Sequence, residues 1–235
     1  MHVRSIFLIL ACLLFSLSTY AQRNIINMPE HDQKAYYFGI TFGTNFSTYK
    51  IGNTRSFVEN DTFRSITPRF RPGFNLGLMG NLRLNRRFDL RFVPSLAFAE
   101  KRMVIDASDG RGGDSTIDRS IESIYMHLPL QLKFKSDRIQ NFRFYGMVGT
   151  KLDIDLAANA RSRRADEFIK VKPIDFGYEL GAGFEFYYPN FIFAPEIKIS
   201  QGLMNQHFKD ARIPLSNAIE SLSTRMIVIS IHLQG

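Results

Sequence analysis

Ile124-Tyr125-Met126-His127-Leu128-Pro129-Leu130-Gln131-Leu132-Lys133-Phe134 decides the fold. Every even position is apolar, from Ile124 to Phe134. The odd positions carry Tyr125, His127, Gln131 and Lys133. Successive side chains of a strand point to opposite faces, so a period of two gives one apolar face and one polar face. We read this segment as part of a strand over 121–135.

The pattern recurs on both sides of it. Over 37–49, Phe38, Ile40, Phe42 and Phe46 oppose Gly39, Thr41, Gly43, Asn45 and Ser47. Over 73–84, Phe74, Leu76, Leu78, Leu82 and Leu84 oppose Asn75, Gly77, Asn81 and Arg83. Over 87–102, Phe88, Leu90, Phe92, Leu96 and Phe98 oppose Asp89, Arg91, Ser95 and Ala97. Over 141–156, the apolar row from Phe142 to Leu156 opposes Arg143, Tyr145, Lys151, Asp153 and Asp155. Over 173–187, Phe176, Tyr178, Leu180, Phe184 and Phe186 oppose Asp175, Gly177, Glu179, Gly181, Gly183 and Glu185. Over 191–203, Phe191, Phe193, Ile197 and Ile199 oppose Ala194, Glu196, Lys198 and Ser200. Over 222–233, Ile227, Ile229, Ile231 and Leu233 oppose Val228, Ser230 and His232.

These segments number about eight, an even count. Several are long enough to cross a bilayer as tilted strands, which takes about 9–11 residues. The connections between them alternate. Long stretches at 50–71, around Asp106–Asp114, at 157–172 and at 204–221 interleave with tight turns near Asn85-Arg86, at 136–140 and at 187–190. An outer-membrane barrel puts long loops outside and short turns in the periplasm, because alternate hairpins share one side of the membrane. A soluble barrel has no reason to sort its loops so. The expected fold is therefore all-β: an antiparallel transmembrane β-barrel of about eight strands over 37–235.

Energetics assigns the faces. A charge on the lipid face at mid-bilayer costs about 2–4 kcal/mol, so the unbroken Phe/Leu/Ile rows should face lipid. The polar rows should then line the interior. Eight strands enclose only side-chain volume, and buried charges persist only when paired. We expect a lumenal charge network drawn from Arg83, Arg91, Lys133, Arg143, Lys151, Asp153, Asp175, Glu179, Glu185, Glu196 and Lys198.

The amino terminus reads as a secretory signal. Arg4 precedes an apolar run, Ser5–Leu17, and Thr19-Tyr20-Ala21 ends it with small residues where a signal peptidase reads. We expect residues 1–21 to be the leader and 22–36 to lie in the periplasm. The run is too short to span a bilayer as a helix. Ile9-Leu10-Ala11-Cys12 is a faint lipoprotein box, but cleavage there would leave Leu13-Leu14-Phe15 behind. Cys12 is the only cysteine, so a chain cut after Ala21 has no disulfide, thiol nucleophile or cysteine-held metal. A formal charge of +8 suits anionic lipid or lipopolysaccharide phosphate as partners. The same charge would suit nucleic acid, but the leader argues against that partner, and none is expected.

Chemistry-bearing motifs are sparse. His127 near Glu122 and Ser123 invites a hydrolase reading, but triads are recognised by geometry, and a lumenal histidine in a charge network accounts for it. His2, His31, His127, His207 and His232 show no metal-ligand spacing. The Asp106–Asp114 stretch lacks the terminal Glu of a calcium loop. Gly181-Ala182-Gly183 sits within a strand and opens no helix, so it is not a phosphate loop. Arg161-Ser162-Arg163-Arg164 could grip lipopolysaccharide phosphates, but an ordinary solvated loop explains it better. No catalytic residue, cofactor or metal is expected.

Lys172-Pro173-Ile174-Asp175-Phe176-Gly177-Tyr178-Glu179-Leu180-Gly181-Ala182-Gly183-Phe184-Glu185-Phe186-Tyr187, running on through Tyr188-Pro189-Asn190 to Leu203, resembles the PorT/SprT family. Pro72–Gly77 and Asn141–Tyr145 add to the resemblance. It implies a non-enzymatic accessory barrel of type IX protein secretion, serving cargo export and in some bacteria gliding, with other secretion-system proteins as partners. No catalytic residues carry over from it. The alternatives are a structural or adhesion-type small outer-membrane barrel with no secretion role and, more remotely, a lipid A-modifying enzyme.

Overall fold

Among residues 25–54, 63–108, 114–157, 169–210 and 213–235, which the computed structural model describes, twelve strands carry the alternation. The leader reading, Cys12, the Gly110–Gly113 stretch and the Arg161–Arg164 cluster lie outside these residues. The strands are β1 (Tyr36–Asn53), β2 (Phe63–Arg69), β3 (Arg71–Arg83), β4 (Phe88–Phe92), β5 (Ser95–Ser108), β6 (Asp114–Lys135), β7 (Phe142–Asp155), β8 (Lys170–Val171), β9 (Ile174–Tyr187), β10 (Ile192–Gly202), β11 (His207–Phe208) and β12 (Ile219–Gln234). One short helix, α1, spans Pro214–Ala218.

The sheet closes on itself. β1 pairs antiparallel with β12 on one side and with β3 on the other. From β3 the ladder runs through β4 and β5, then β6, β7, β9, β10 and back to β12. β4 and β5 are stacked along one stave, both bonded to β3 and β6, so the barrel has eight staves. Closure leaves no unpaired strand edge in the bilayer, where nothing else would satisfy the backbone. No helix among the described residues is long and apolar enough to cross a membrane.

Four details correct the sequence reading. The segment read as one strand over 87–102 is two, because Pro94 has no N–H for the ladder; its carbonyl still accepts from Leu78. The stretch 50–71, read as a loop, holds the end of β1 and all of β2, which pairs with β5. The loop at Asp106–Asp114 is shorter than expected, since β5 runs to Ser108 and β6 begins at Asp114. The long connections 157–172 and 204–221 are not free loops: β8 and β11 pair within them, and α1 follows.

The outward rows are apolar over the barrel wall. Phe38, Ile40, Phe42, Leu76, Leu78, Leu130, Val148, Leu180, Ile197, Ile199 and Ile229 are all exposed. At the short-turn end, Tyr36, Phe38, Phe134, Phe144, Phe184, Phe186, Tyr188 and Phe191 form an aromatic girdle, as at the interface of a membrane barrel. Phe142 stacks on Phe184 and Tyr188 on Phe191 within it. Above the belt, at the long-loop end, the outward positions of β5 and β6 turn polar: Glu100, Arg102, Asp118 and Glu122. Arg102 and Asp118 pair there.

The apolar core is at that same end. Tyr49, Met103, Ile105, Ile169, Val171, Ile219 and Leu222 pack into one buried cluster. Its members come from β1, β5, the β8 region and β12, so the outer connections fold inward over the barrel mouth.

Candidate functional site

Below that apolar lid the lumen is polar and filled. Among the described residues, seven buried carboxylates face seven buried cations in the lumen, and an eighth buried cation, Lys170, pairs with Asp210 in the outer connections. The lumenal acids are Asp89, Asp153, Asp155, Asp175, Glu179, Glu185 and Glu196; the lumenal cations are Arg91, Lys101, Lys133, Lys135, Arg143, Lys151 and Lys198. Near-equal charge is what a low-dielectric interior demands, because an unpaired ion there costs several kcal/mol.

The pairs join into a chain. Glu196 binds Arg91 at 2.5 Å and accepts from the Tyr145 hydroxyl at 2.8 Å. Arg91 Nε donates to Gln131 Oε1 at 2.7 Å, and Gln131 Nε2 donates to Glu179 at 2.7 Å. Glu179 lies 3.1 Å from His127 Nε2 and 3.2 Å from Lys198 Nζ. His127 Nδ1 meets Asp153, which Lys151 binds at 2.5 Å, with Asp175 3.9 Å from the same ammonium. A second branch runs through Lys133, Glu185 and Arg143, and a third pairs Lys135 with Asp89 at 2.7 Å. Lys101 has an aromatic seat, its Nζ 4.7 Å from the Tyr49 ring and 4.2 Å from the Tyr125 ring.

Of the eleven residues named from sequence, Arg91, Lys133, Arg143, Lys151, Asp153, Asp175, Glu179, Glu185, Glu196 and Lys198 lie in this network. Arg83 does not; it sits at the short-turn rim and bonds the carbonyls of His31 and Asp32. The candidate set left out Asp89, Asp155, Lys101, Lys135, Gln131 and Asp32. Strand parity carried the first five, since each continues an inward row. Nothing local to Asp32 marks it. The hydrolase grouping is dispersed: Glu122 is on the outer face, and His127 is held by Asp153 and Glu179. Among the described residues no cluster of His, Cys, Asp and Glu is placed to hold a metal.

The short-turn mouth is closed by the amino-terminal segment. Met28, at φ 50°, turns the chain into a 3₁₀ turn, Pro29–Gln33, that drops His31 into the lumen at 3% exposure. The His31 ring meets Tyr37 edge-on at 4.6 Å. Asn27 donates to Asn141 Oδ1 at 2.8 Å and to the Tyr187 carbonyl at 2.9 Å. Asp32 binds Arg143 at 2.8 Å and Arg138 at 3.4 Å. Burial pushes His31 down to about 4; Glu185 and Asp32 oppose the shift, while Lys34 and Arg83 add to it. At the other mouth, burial likewise holds His207 below the usual histidine value, helped by Lys209 and Lys172.

Comparisons with known proteins bear on this architecture. The family model described as "Outer membrane protein beta-barrel domain" matches residues 20–207. No curated protein matches the chain. Among solved structures it is similar to the outer membrane protein OprG from Pseudomonas aeruginosa, at 13% identity and TM-score 0.42, covering 86% of this chain and 97% of that one. It is similar to Ail, the attachment invasion locus protein of Yersinia pestis, at 14% and 0.38, covering 86% and 100%. Neisserial surface protein A follows at 11% and 0.41, covering 83% and 95%.

Proposed function

This chain belongs to the outer membrane protein beta-barrel domain family, and we propose that within the outer membrane it serves as a non-enzymatic accessory component of type IX protein secretion. The observation that carries the reading is a lumen filled with paired charges and covered at both mouths. Such a barrel has no path for a folded cargo, so its contribution to export has to be made through contact. The resemblance of Lys172–Leu203 to the PorT/SprT family gives that contact its setting. Other secretion-system proteins are the proposed partners, with lipopolysaccharide packed against the outer half of the belt.

Deleting the gene tests the proposal. Loss of cargo export from cells whose envelope is otherwise intact supports it. Normal export removes it and leaves a structural or adhesion barrel. Fractionation should recover the protein in the outer membrane with Met1–Ala21 removed; recovery with an acylated Cys12 would overturn the proposed processing.

A further inference from the structure

The periplasmic mouth holds an open cavity of about 720 Å³ between the amino-terminal cap and two turns, β3–β4 and β6–β7. Arg83, Arg86, Lys135, Arg138 and Arg143 line it, against only two carboxylates, Asp32 and Asp137. Lys135 and Arg143 also serve the balanced lumen, through Asp89 and Glu185, so the rim's own excess is Arg83, Arg86 and Arg138 over Asp32 and Asp137. The hydrogen bonds leave much of it in place. Arg83 is bonded to the His31 and Asp32 carbonyls. Arg138 is bonded to the carbonyls of Asn27, Met28 and Gln140 and lies only 3.4 Å from Asp32. Carbonyls satisfy donors without cancelling their charge. Arg143 is almost fully buried and keeps its Nε without a partner.

The cap shows what the mouth accepts. Asp32, on a Pro29-Glu30-His31-Asp32 turn, occupies the fork between Arg138 and Arg143. A guanidinium fork suits carboxylates in two-point geometry. The volume is within the range of sites that enclose a short peptide or a drug-sized ligand.

We propose that this mouth is a docking site for an acidic segment of a periplasmic protein, whose carboxylates add to the Arg86, Arg138 and Arg143 cluster beside Asp32. The inference deepens the contact role proposed above and rests on it for its setting, but the binding assay does not depend on export. A cationic cleft also raises the encounter rate of an acidic partner and weakens with salt.

The full-length mature barrel in nanodiscs of zwitterionic lipid is titrated into fluorescein-labelled hexaglutamate, read by anisotropy. Saturable binding that falls steeply with salt is expected, with none for hexalysine. Arg86 is 85% exposed and holds only a surface pair to Asp137, so Arg86→Glu should fold normally and weaken binding several-fold. Asp32→Asn removes the built-in competitor, and with the barrel's heat-modifiable gel mobility intact it should tighten binding. The site is overturned by no saturable binding, by equal binding of hexalysine, or by an Arg86→Glu protein that binds like wild type. Displacement of the peptide by millimolar inorganic phosphate or by soluble muropeptide would reassign the cleft to those anions. Export in an Arg86→Glu strain is a separate readout: peptide binding lost while export persists separates failure of the physiological role from failure of the site.

Discussion

Single residues decide how tightly the lumen closes. Gly183 faces inward opposite Tyr145. A Cβ there would stand 2.5 Å from the Tyr145 hydroxyl and 2.7 Å from the Pro195 carbonyl. The glycine is thus what lets Tyr145 lie flat across the wall and reach Glu196. Gly183→Ala should overpack the site, at about 1–3 kcal/mol, and the loss should shrink when Tyr145 is also cut to Phe. Glu196 itself is the meeting point of Arg91, Tyr145 and His232. Replacing it alone with Leu leaves a buried guanidinium unpaired, expected to cost about 3–5 kcal/mol. An Arg91→Met/Glu196→Leu double variant should lose less than Glu196→Leu alone. Urea unfolding in phospholipid vesicles measures all four proteins, and a double variant weaker than the single would contradict the pairing argument. On the opposite face, Leu130→Arg should cost about 2–4 kcal/mol for a cation at mid-bilayer depth.

At the scale of elements, the cap is the piece whose attachment varies with conditions. Detached, His31 titrates near 6.5; docked, burial holds it at about 4. Its folded value is depressed, so the docked form binds fewer protons between these limits. Docking is therefore full above about pH 6.5 and weakens as pH falls toward 4, since the free segment gains a proton that the docked one refuses. Amide protection of residues 25–35, taken relative to the intrinsic exchange rate at each pH, should fall as pH is lowered from 7.5 to 5 in the wild type, and His31→Phe should flatten that dependence. Unchanged protection across the range would mean that His31 does not govern docking. The cap was not legible in the sequence, because its bonds join Asn27 to Asn141 and Asp32 to Arg143 across more than a hundred residues. The staves were legible, since period-two alternation is a local signal wherever one face meets lipid. The reading weakened where that condition lapses. β2 lies on an arm above the belt, and its Arg-Ser-Ile-Thr-Pro-Arg run presents no unbroken apolar row. Beyond Phe98 the outward positions of β5 are Glu100 and Arg102, so nothing marked its continuation to Ser108.

For the whole molecule, the main consequence is that a barrel wide enough only for side chains spends its interior on charge pairing. Parity alone told which residues face inward, and this was readable for Arg91, Glu179 or Glu196 one strand at a time. Which inward residues become partners was not, because pairing depends on the stagger of strands distant in sequence; Arg91 finds Glu196 across 105 residues. That continuous network, the apolar lid around Tyr49 and Leu222, and the His31 cap together predict an electrically quiet protein. Purified barrel in planar bilayers should show little or no conductance at neutral pH. Removing the cap by deleting residues 22–33 should change this only slightly, because Lys133, Glu185 and Arg143 still fill the lumen behind it. Large, stable channels from the intact protein would refute the filled lumen, and with it the argument that export is served by contact. Channels appearing only after the deletion would instead make the cap the sole barrier and the network a wet, open lining.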